Sequence, residues 1–228
     1  MSASVDWDGK LRLAWGWAHY RGPAGDATFH SHYATQMVFA SDLEVSAQMD
    51  SALVRGHRLV IPSNRSHLLE PTKEAVDILF IEPTLIELEA DDDYTLLDWV
   101  AYLNEAEPKE IDDRIERAMI AVEQGLTGKV SLARVARAAG LSKSAFSKLF
   151  RSVVGMPLRR YVLWRRLYVA ARAIGDGADA TTAAYRAGFS DSAHFSRTMK
   201  ETFGVSPSKS LLRFKISVTP QREMKFLT

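Results

Sequence analysis

"AGLSKSAFSKLFRSVVGMP" occupies residues 139–157, and "AGFSDSAHFSRTMKETFGVSP" occupies residues 187–207. The two stretches are nearly one phrase written twice. Gly140 answers to Gly188, Phe146-Ser147-Lys148 to Phe195-Ser196-Arg197, and Gly155 to Gly204. The second copy carries one more residue before its Phe-Ser pair.

Reading outward from the first copy gives a local structure. Ser131, at the head of "SLARVARAAG", can cap a helix whose apolar positions are Leu132, Val135 and Ala139, with Ala136 small where another helix would cross. Gly140 falls where a turn needs positive φ, which glycine adopts at little cost. Leu141 fits under that turn and Ser142 caps the next helix. Phe146, Leu149, Phe150 and Val153 then recur at i, i+3, i+4 and i+7, the spacing of a buried stripe. In the second copy Ala183, Ala184 and Ala187 precede Gly188. Phe189 plugs the turn, Ser190 caps, and Phe195, Met199 and Phe203 form the stripe. Two helices about a short glycine turn make a helix-turn-helix, although any helical hairpin shares the pattern. The repetition and the charge around it favour the former.

The formal net charge is only +1, but it is split along the chain. Residues 1–109 hold 8 Lys and Arg against 18 Asp and Glu, whereas residues 110–213 hold 18 against 9. A basic C-terminal half suits a polyanion. The chain has no cysteine, which excludes disulfides, thiolate zinc sites and cysteine nucleophiles and fits a reducing compartment. The start, "MSASVDWDGKLRL", has no apolar segment like that of a signal peptide, and no run reaches membrane-span length. The expectation is a soluble, cytoplasmic protein with no membrane partner.

The hydrophobic period changes near residue 90. Before it, "KLRLAWGWAHYRGPAGD", "TQMVFASDLEVSAQMD", "LVRGHRLVIPSN" and "AVDILFIEP" read as short strands between turns, with Leu11, Leu13, Trp15 and Trp17 alternating as on one strand face. After it, "DDDYTLLDWVAYLNEAE" places Leu96, Leu97, Val100 and Leu103 near helical spacing behind an acidic start. The predicted class is α+β. Residues 1–90 form a small β-barrel, 91–108 a linker helix, and 109–214 an all-α domain. That domain has two helix-turn-helix motifs, at about 131–153 and 180–203, joined by a long helix. Residues 215–228 are a tail with no assigned role.

The second copy, with "PLRRYVLWRRLYVAARAIG" at 157–175 as connector, resembles the DNA-binding domain of the bacterial AraC/XylS transcription regulators. Tyr161-Val162, Arg165-Arg166-Leu167 and Ala170 match the family's connector. Gly188-Phe189-Ser190-Asp191, Phe195-Ser196-Arg197 and Gly204-Val205-Ser206-Pro207 match its signature. The pattern departs at Ser210-Leu211, where a Tyr-Arg pair is usual, and at Met199, which replaces an aromatic residue. The resemblance implies double-stranded promoter DNA as partner, with two recognition helices entering successive major grooves ~34 Å apart. Outside the stripes lie Lys143, Ser144, Ser147, Lys148 and Arg151, then Ser192, Ala193, Arg197 and Lys200; these are the candidate DNA contacts. Lys148 and Arg197 can donate to guanine O6 and N7, while the short Ser and Ala positions read little beyond thymine methyls. For Arg197 a phosphate contact or an intradomain salt bridge is the competing role.

"FHSHYATQMVF" and "GHRLVIPSNRSHLL" resemble the two motifs of the cupin-like barrel that precedes this domain in many AraC relatives. The resemblance implies a small-molecule effector pocket, for which Trp15, Trp17, His30, His32, Tyr33, Gln36 and His67 are candidates. Trp15 and Trp17 can equally be core. His30, His32 and His67 occupy the places that hold a divalent metal in metal-binding cupins, but Gln36 stands where those proteins carry Glu. A metal-dependent cupin enzyme or a metal sensor is therefore the alternative reading. The absent carboxylate weighs against the enzyme, and the expectation is a non-enzymatic regulator with no cofactor. The resemblance further implies activation through RNA polymerase and a homodimer built on the helix after the barrel; that helix could equally pack on its own barrel.

Overall fold

A computed structural model describes residues 5–88 and 93–219. The chain divides into two compact units. One comprises the described residues up to 109 together with 199–219; the other comprises 110–198.

The first unit is built from strands. β1 (Lys10–Leu13), β2 (Trp17–Pro23), β3 (Thr35–Phe39), β6 (Arg58–Ile61), β8 (Ala75–Ile81) and β9 (Lys215–Val218) make a six-stranded sheet in the order β6-β3-β8-β2-β1-β9. β4 (Val45–Met49), β5 (Ala52–Gly56) and β7 (His67–Leu69) make a second sheet in the order β5-β4-β7. Only His57 separates β5 from β6, so the chain steps from one sheet to the other there. The fold is thus a sheet-rich, cupin-like domain, but among the described strands the ladders do not close into a barrel.

Two local readings are corrected. The alternation from Leu11 to Trp17 is not one strand. Gly16, at φ 71°, turns the chain between β1 and β2, and Ala14 N–H donates to Trp17 O at 3.0 Å. The segment after Arg213 also has structure: β9 runs parallel to β1, from Lys10↔Lys215 to Leu13↔Val218. Phe214 packs on Tyr20 with ring centroids 4.9 Å apart.

Strand alternation fixes the two faces of the large sheet. Trp17, Met37, Leu79 and Ile81 face one way and pack with Trp99 and Leu103 of α1 (Leu96–Glu105). Gln36 and Phe80, paired across β3 and β8, face the other way. α1 opens on a capping box, with the Thr95 side chain accepting from Asp98 N–H and the Asp98 carboxylate accepting from Thr95 N–H. Its buried stripe is Trp99 and Leu103, whereas Leu97, expected in the stripe, is 77% exposed.

The second unit is helical: α2 (Asp113–Glu123), α3 (Leu132–Ala138), α4 (Lys143–Val154), α5 (Leu158–Gly175), α6 (Ala180–Arg186) and most of α7 (Ser192–Phe203). α7 passes from the second unit to the first at Thr198–Met199. At 18 residues, α5 extends ~27 Å. It is tied to the rest by Arg165, which is buried and donates from Nε to Glu123 Oε1 at 2.6 Å. Arg166 donates from Nη2 to Gly128 O at 2.7 Å. No helix among the described residues is long and apolar enough to cross a membrane.

Candidate functional site

The two repeated phrases fold alike, turn for turn. α3 starts with Ser131 accepting from Arg134 N–H, and α6 with Asp179 accepting from Thr182 N–H. Each ends in a left-handed glycine, Gly140 at φ 69° and Gly188 at φ 81°. At both ends the last carbonyls are met in the same way: Gly140 N–H to Arg137 O and Leu141 N–H to Ala136 O, then Gly188 N–H to Tyr185 O and Phe189 N–H to Ala184 O. The helices that follow end at Gly155 and Gly204, again with positive φ of 78° and 72°.

The extra residue in the second copy sits in its turn. Ser142 caps α4 by accepting from Ala145 N–H, four residues before Phe146. Asp191, not Ser190, holds the equivalent place four residues before Phe195 and accepts from His194 N–H at 2.6 Å. That backbone bond, reinforced by the Ser190 hydroxyl, lowers the Asp191 pKa and keeps a negative charge at the helix N-terminus.

The buried stripe of α4 is Phe146, Phe150 and Val154; Val153 turns outward. Lys143, Ser144, Ser147, Lys148 and Arg151 are all exposed, as are Ser192, Ala193, Arg197 and Lys200 on α7. Every candidate DNA contact therefore stands on the open side of its helix.

The candidate effector residues divide into two groups. His30 and His67 form an isolated antiparallel bridge, exchanging N–H to O bonds of 3.0 and 2.9 Å, which sets their rings 4.3 Å apart. His32 lies on the loop before β3 and Gln36 is the second residue of that strand. Gln36 Oε1 stands 2.9 Å from His32 Nε2 and 3.2 Å from His67 Nε2. One ring nitrogen from each of the three histidines lies within 4.8 Å of the others. Tyr33 is buried nearby in sequence but hydrogen-bonds Thr84. Trp15 and Trp17 are not brought to this cluster: Trp17 points to the α1 side of the sheet and Trp15 packs with it.

Each of the three imidazoles turns Nδ1 to a backbone carbonyl: His30 to Thr28 at 2.8 Å, His32 to Ala34 at 2.9 Å, and His67 to Arg65 at 2.9 Å. Burial and the neighbouring rings push the pKa of His30 down to about 4 and that of His32 down to about 3; burial also lowers His67. All three are neutral at pH 7. Two residues that reading of the motifs did not assign to the cluster complete it. The ring of Phe203, the last residue of α7, is 5.5 Å from that of His32, and Gly204 O accepts from Thr28 N–H at 3.0 Å. Phe203 had been visible only as a stripe residue, because the pairing of 199–219 with the first unit has no local signal.

Residues 135–213 match a family described as a helix-turn-helix domain. The activator AarP of Providencia stuartii is 30% identical over 95 residues, covering 41% of this chain and 70% of AarP. The chain belongs to the AraC family. The transcriptional activator RhrA of Rhizobium meliloti is 37% identical over 100 residues, covering 42% of this chain and 32% of RhrA. The matched stretch thus spans about a third of that relative's length. Among solved structures, apo ToxT K231A from Vibrio cholerae superposes with a TM-score of 0.60 at 14% identity, covering 89% of this chain and 99% of ToxT. That likeness gives this AraC-family chain the same fold, a sheet-rich domain followed by a helical one.

Proposed function

We propose that this chain is a transcription regulator that binds promoter DNA through α4 and α7 and answers to a small ligand in its N-terminal unit. The observation that carries the reading is the duplicated helix-turn-helix, with matching caps, glycines and open faces in a segment of net positive charge. One short helix reads a few base pairs; two give a site of about two helical turns. Lys148 and Arg197 are assigned to guanine edges, and Lys143, Arg151 and Lys200 to phosphates. Ser144, Ser147, Ser192 and Ala193 approach base edges with little readout of their own. Much of the affinity is then electrostatic and salt-dependent.

The ligand reading rests on the cluster of His30, His32, Gln36 and His67, with Tyr33 adjacent in the chain. ToxT has been solved with an unsaturated fatty acid and with a naphthalenyl butenoic acid. We also assign it as a non-enzymatic, cytoplasmic activator that contacts RNA polymerase; RhrA and AarP, two of its relatives, are transcriptional activators. Dimerisation is assigned to the outer face of α1, where Leu97 is exposed while Trp99 and Leu103 are spent on the sheet.

The test is affinity capture of sheared genomic DNA by the purified chain, followed by sequencing. A sharp set of sites about two helical turns long is expected. Salt-sensitive capture with no enriched site, with or without cell extract, would refute the reading.

A further inference from the structure

The acidity of the first unit comes from one stretch. Residues 1–73 hold seven Lys and Arg against seven Asp and Glu, whereas residues 74–108 hold eleven Asp and Glu and no Lys or Arg. α1 lies in that stretch. Helical spacing puts Leu97, Ala101 and Glu105 on one side of α1 with Asp98 beside them, and all four are exposed.

Cations of the same unit gather on the large sheet. The register pairs Lys215 with Lys10, Lys10 with Arg21, Arg21 with Asp77, Asp77 with Phe39 and Phe39 with Arg58. These six residues form one row across all six strands. The row lies on the face that α1 packs against, because Arg21 and Asp77 are in step with Trp17 and Leu79. Lys215, Lys10 and Arg21 are exposed. Like charges set directly opposite one another weaken a sheet. Asp77 meets Arg21 at 2.6 Å, but it is buried and shared with His19. Three neighbouring cations thus stand at a local cost, which an anionic surface laid over them offsets.

We propose that the row Lys215–Lys10–Arg21 receives the outer face of α1 from a second copy of this chain. Lys215 and Arg21 stand two interstrand spacings apart, ~9.6 Å. Asp98 and Glu105 stand seven residues apart along α1, ~10.5 Å. Two carboxylates of one copy therefore match the outer cations of the other, and the apolar stems of the lysines cover Leu97. Helix and row are neighbours on one face: Arg12, two residues from Lys10, donates from Nη2 to Asn104 Oδ1 at 2.8 Å. A two-fold axis between them lays each α1 on the other copy's row, so both contacts form together and the assembly closes at two. DNA is the other polyanion that suits such a row, but α7 ends on the opposite face of the sheet, where Phe203 packs on Phe80. The inference rests on the dimer assigned to α1 above and gives that helix its partner.

The experiment measures self-association of the full chain by sedimentation velocity at low and high salt, with the far-ultraviolet spectrum confirming that each variant is folded. Lys10→Glu with Lys215→Glu makes the row acidic and exchanges one like-charge pair for another, so the sheet itself is no worse off. Ala101→Lys with Glu105→Lys makes the outer face of α1 basic. The unaltered chain should dimerise, and salt should weaken the dimer. Each variant alone should dimerise at least ~10-fold more weakly. Mixed together, the two variants should form a heterodimer of the original affinity, since an acidic surface again faces a basic one on both sides of the axis. A monomeric unaltered chain overturns this interface and the α1 dimer together. A dimer that survives reversal of the row but is broken by Leu97→Lys keeps the α1 dimer and overturns the row as its partner. Variants that stay monomeric when mixed also overturn the pairing. Reversal of the row that spares the dimer but weakens capture of every DNA sequence alike assigns the cations to phosphates instead. The enriched genomic sites test the regulator reading separately.

Discussion

Gly140 and Gly188 hold the same place in the two motifs and the same left-handed conformation, yet their surroundings differ. A Cβ added at Gly140 meets nothing within 4 Å. One added at Gly188 falls 1.9 Å from Leu126 O and 2.9 Å from Leu126 C, both backbone atoms. Gly140→Ala therefore costs only the left-handed penalty, ~1–2 kcal/mol. Gly188→Ala adds the displacement of a backbone segment, ~1–3 kcal/mol for overpacking, giving ~2–5 kcal/mol in all. Amide exchange read by mass spectrometry on peptides from α3–α4 and from α6–α7 measures each cost where it falls. At ~1.4 kcal/mol per tenfold, Gly140→Ala should speed exchange in α3–α4 by ~5–30-fold and Gly188→Ala should speed it in α6–α7 by more than ~30-fold. Equal effects at the two positions would falsify the claim that the Leu126 backbone, rather than φ alone, enforces the second glycine.

Arg197→Ala should lose ~1–3 kcal/mol at a single base pair in a scan of mutated sites; a loss uniform over all sequences would reassign Arg197 to phosphate. Glu123→Gln removes the carboxylate from buried Arg165 and should cost ~3 kcal/mol in urea unfolding, whereas a loss under ~1 kcal/mol would mean that other partners suffice. The three cluster histidines have pKa values below that of an unfolded histidine, so the unfolded chain binds more protons as pH falls. The protein should therefore be fully stabilised above pH ~6.5 and lose a few kcal/mol toward pH 4. A urea midpoint equally pH-dependent in His32→Asn would show that the loss comes from other groups. Ending the chain after Arg213 removes Phe214 and β9 and bares the edge of β1; amide protection at residues 10–13 should collapse, and its survival would show that β9 is dispensable.

The helical half was legible because its signals are local. Caps at Ser131 and Ser142, the glycines and the spacing of Phe146 and Phe150 all act within a few residues of themselves. Where two capping residues stood side by side, at Ser190-Asp191, the pattern pointed to Ser190; the stronger acceptor at the correct distance from Phe195, Asp191, took the place. In the sheet-rich half the strands were visible but their neighbours were not. Alternation read Leu11 to Trp17 as one strand, but Gly16 turns the chain there, and nothing local says that α1 covers Trp17. Nothing near Lys215 foretells a partner at Lys10. The same distance hid Phe203 and Gly204 from the histidine cluster, and Gln36 reads as a lost carboxylate until its oxygen is found between two rings.

The parallel pairing of β9 with β1 has a temporal consequence. Ribosomes deliver the chain from residue 1 onward, so the outer strand of the sheet and the Gly204 contact to Thr28 emerge only after the whole helical unit. The helical unit can fold as it appears, from contacts close in sequence. The sheet unit must wait with an open edge until its final strand arrives. Its histidine cluster, bonded to that late segment through Thr28, is therefore completed last, and a nascent or truncated chain has the helical unit before the cluster is closed.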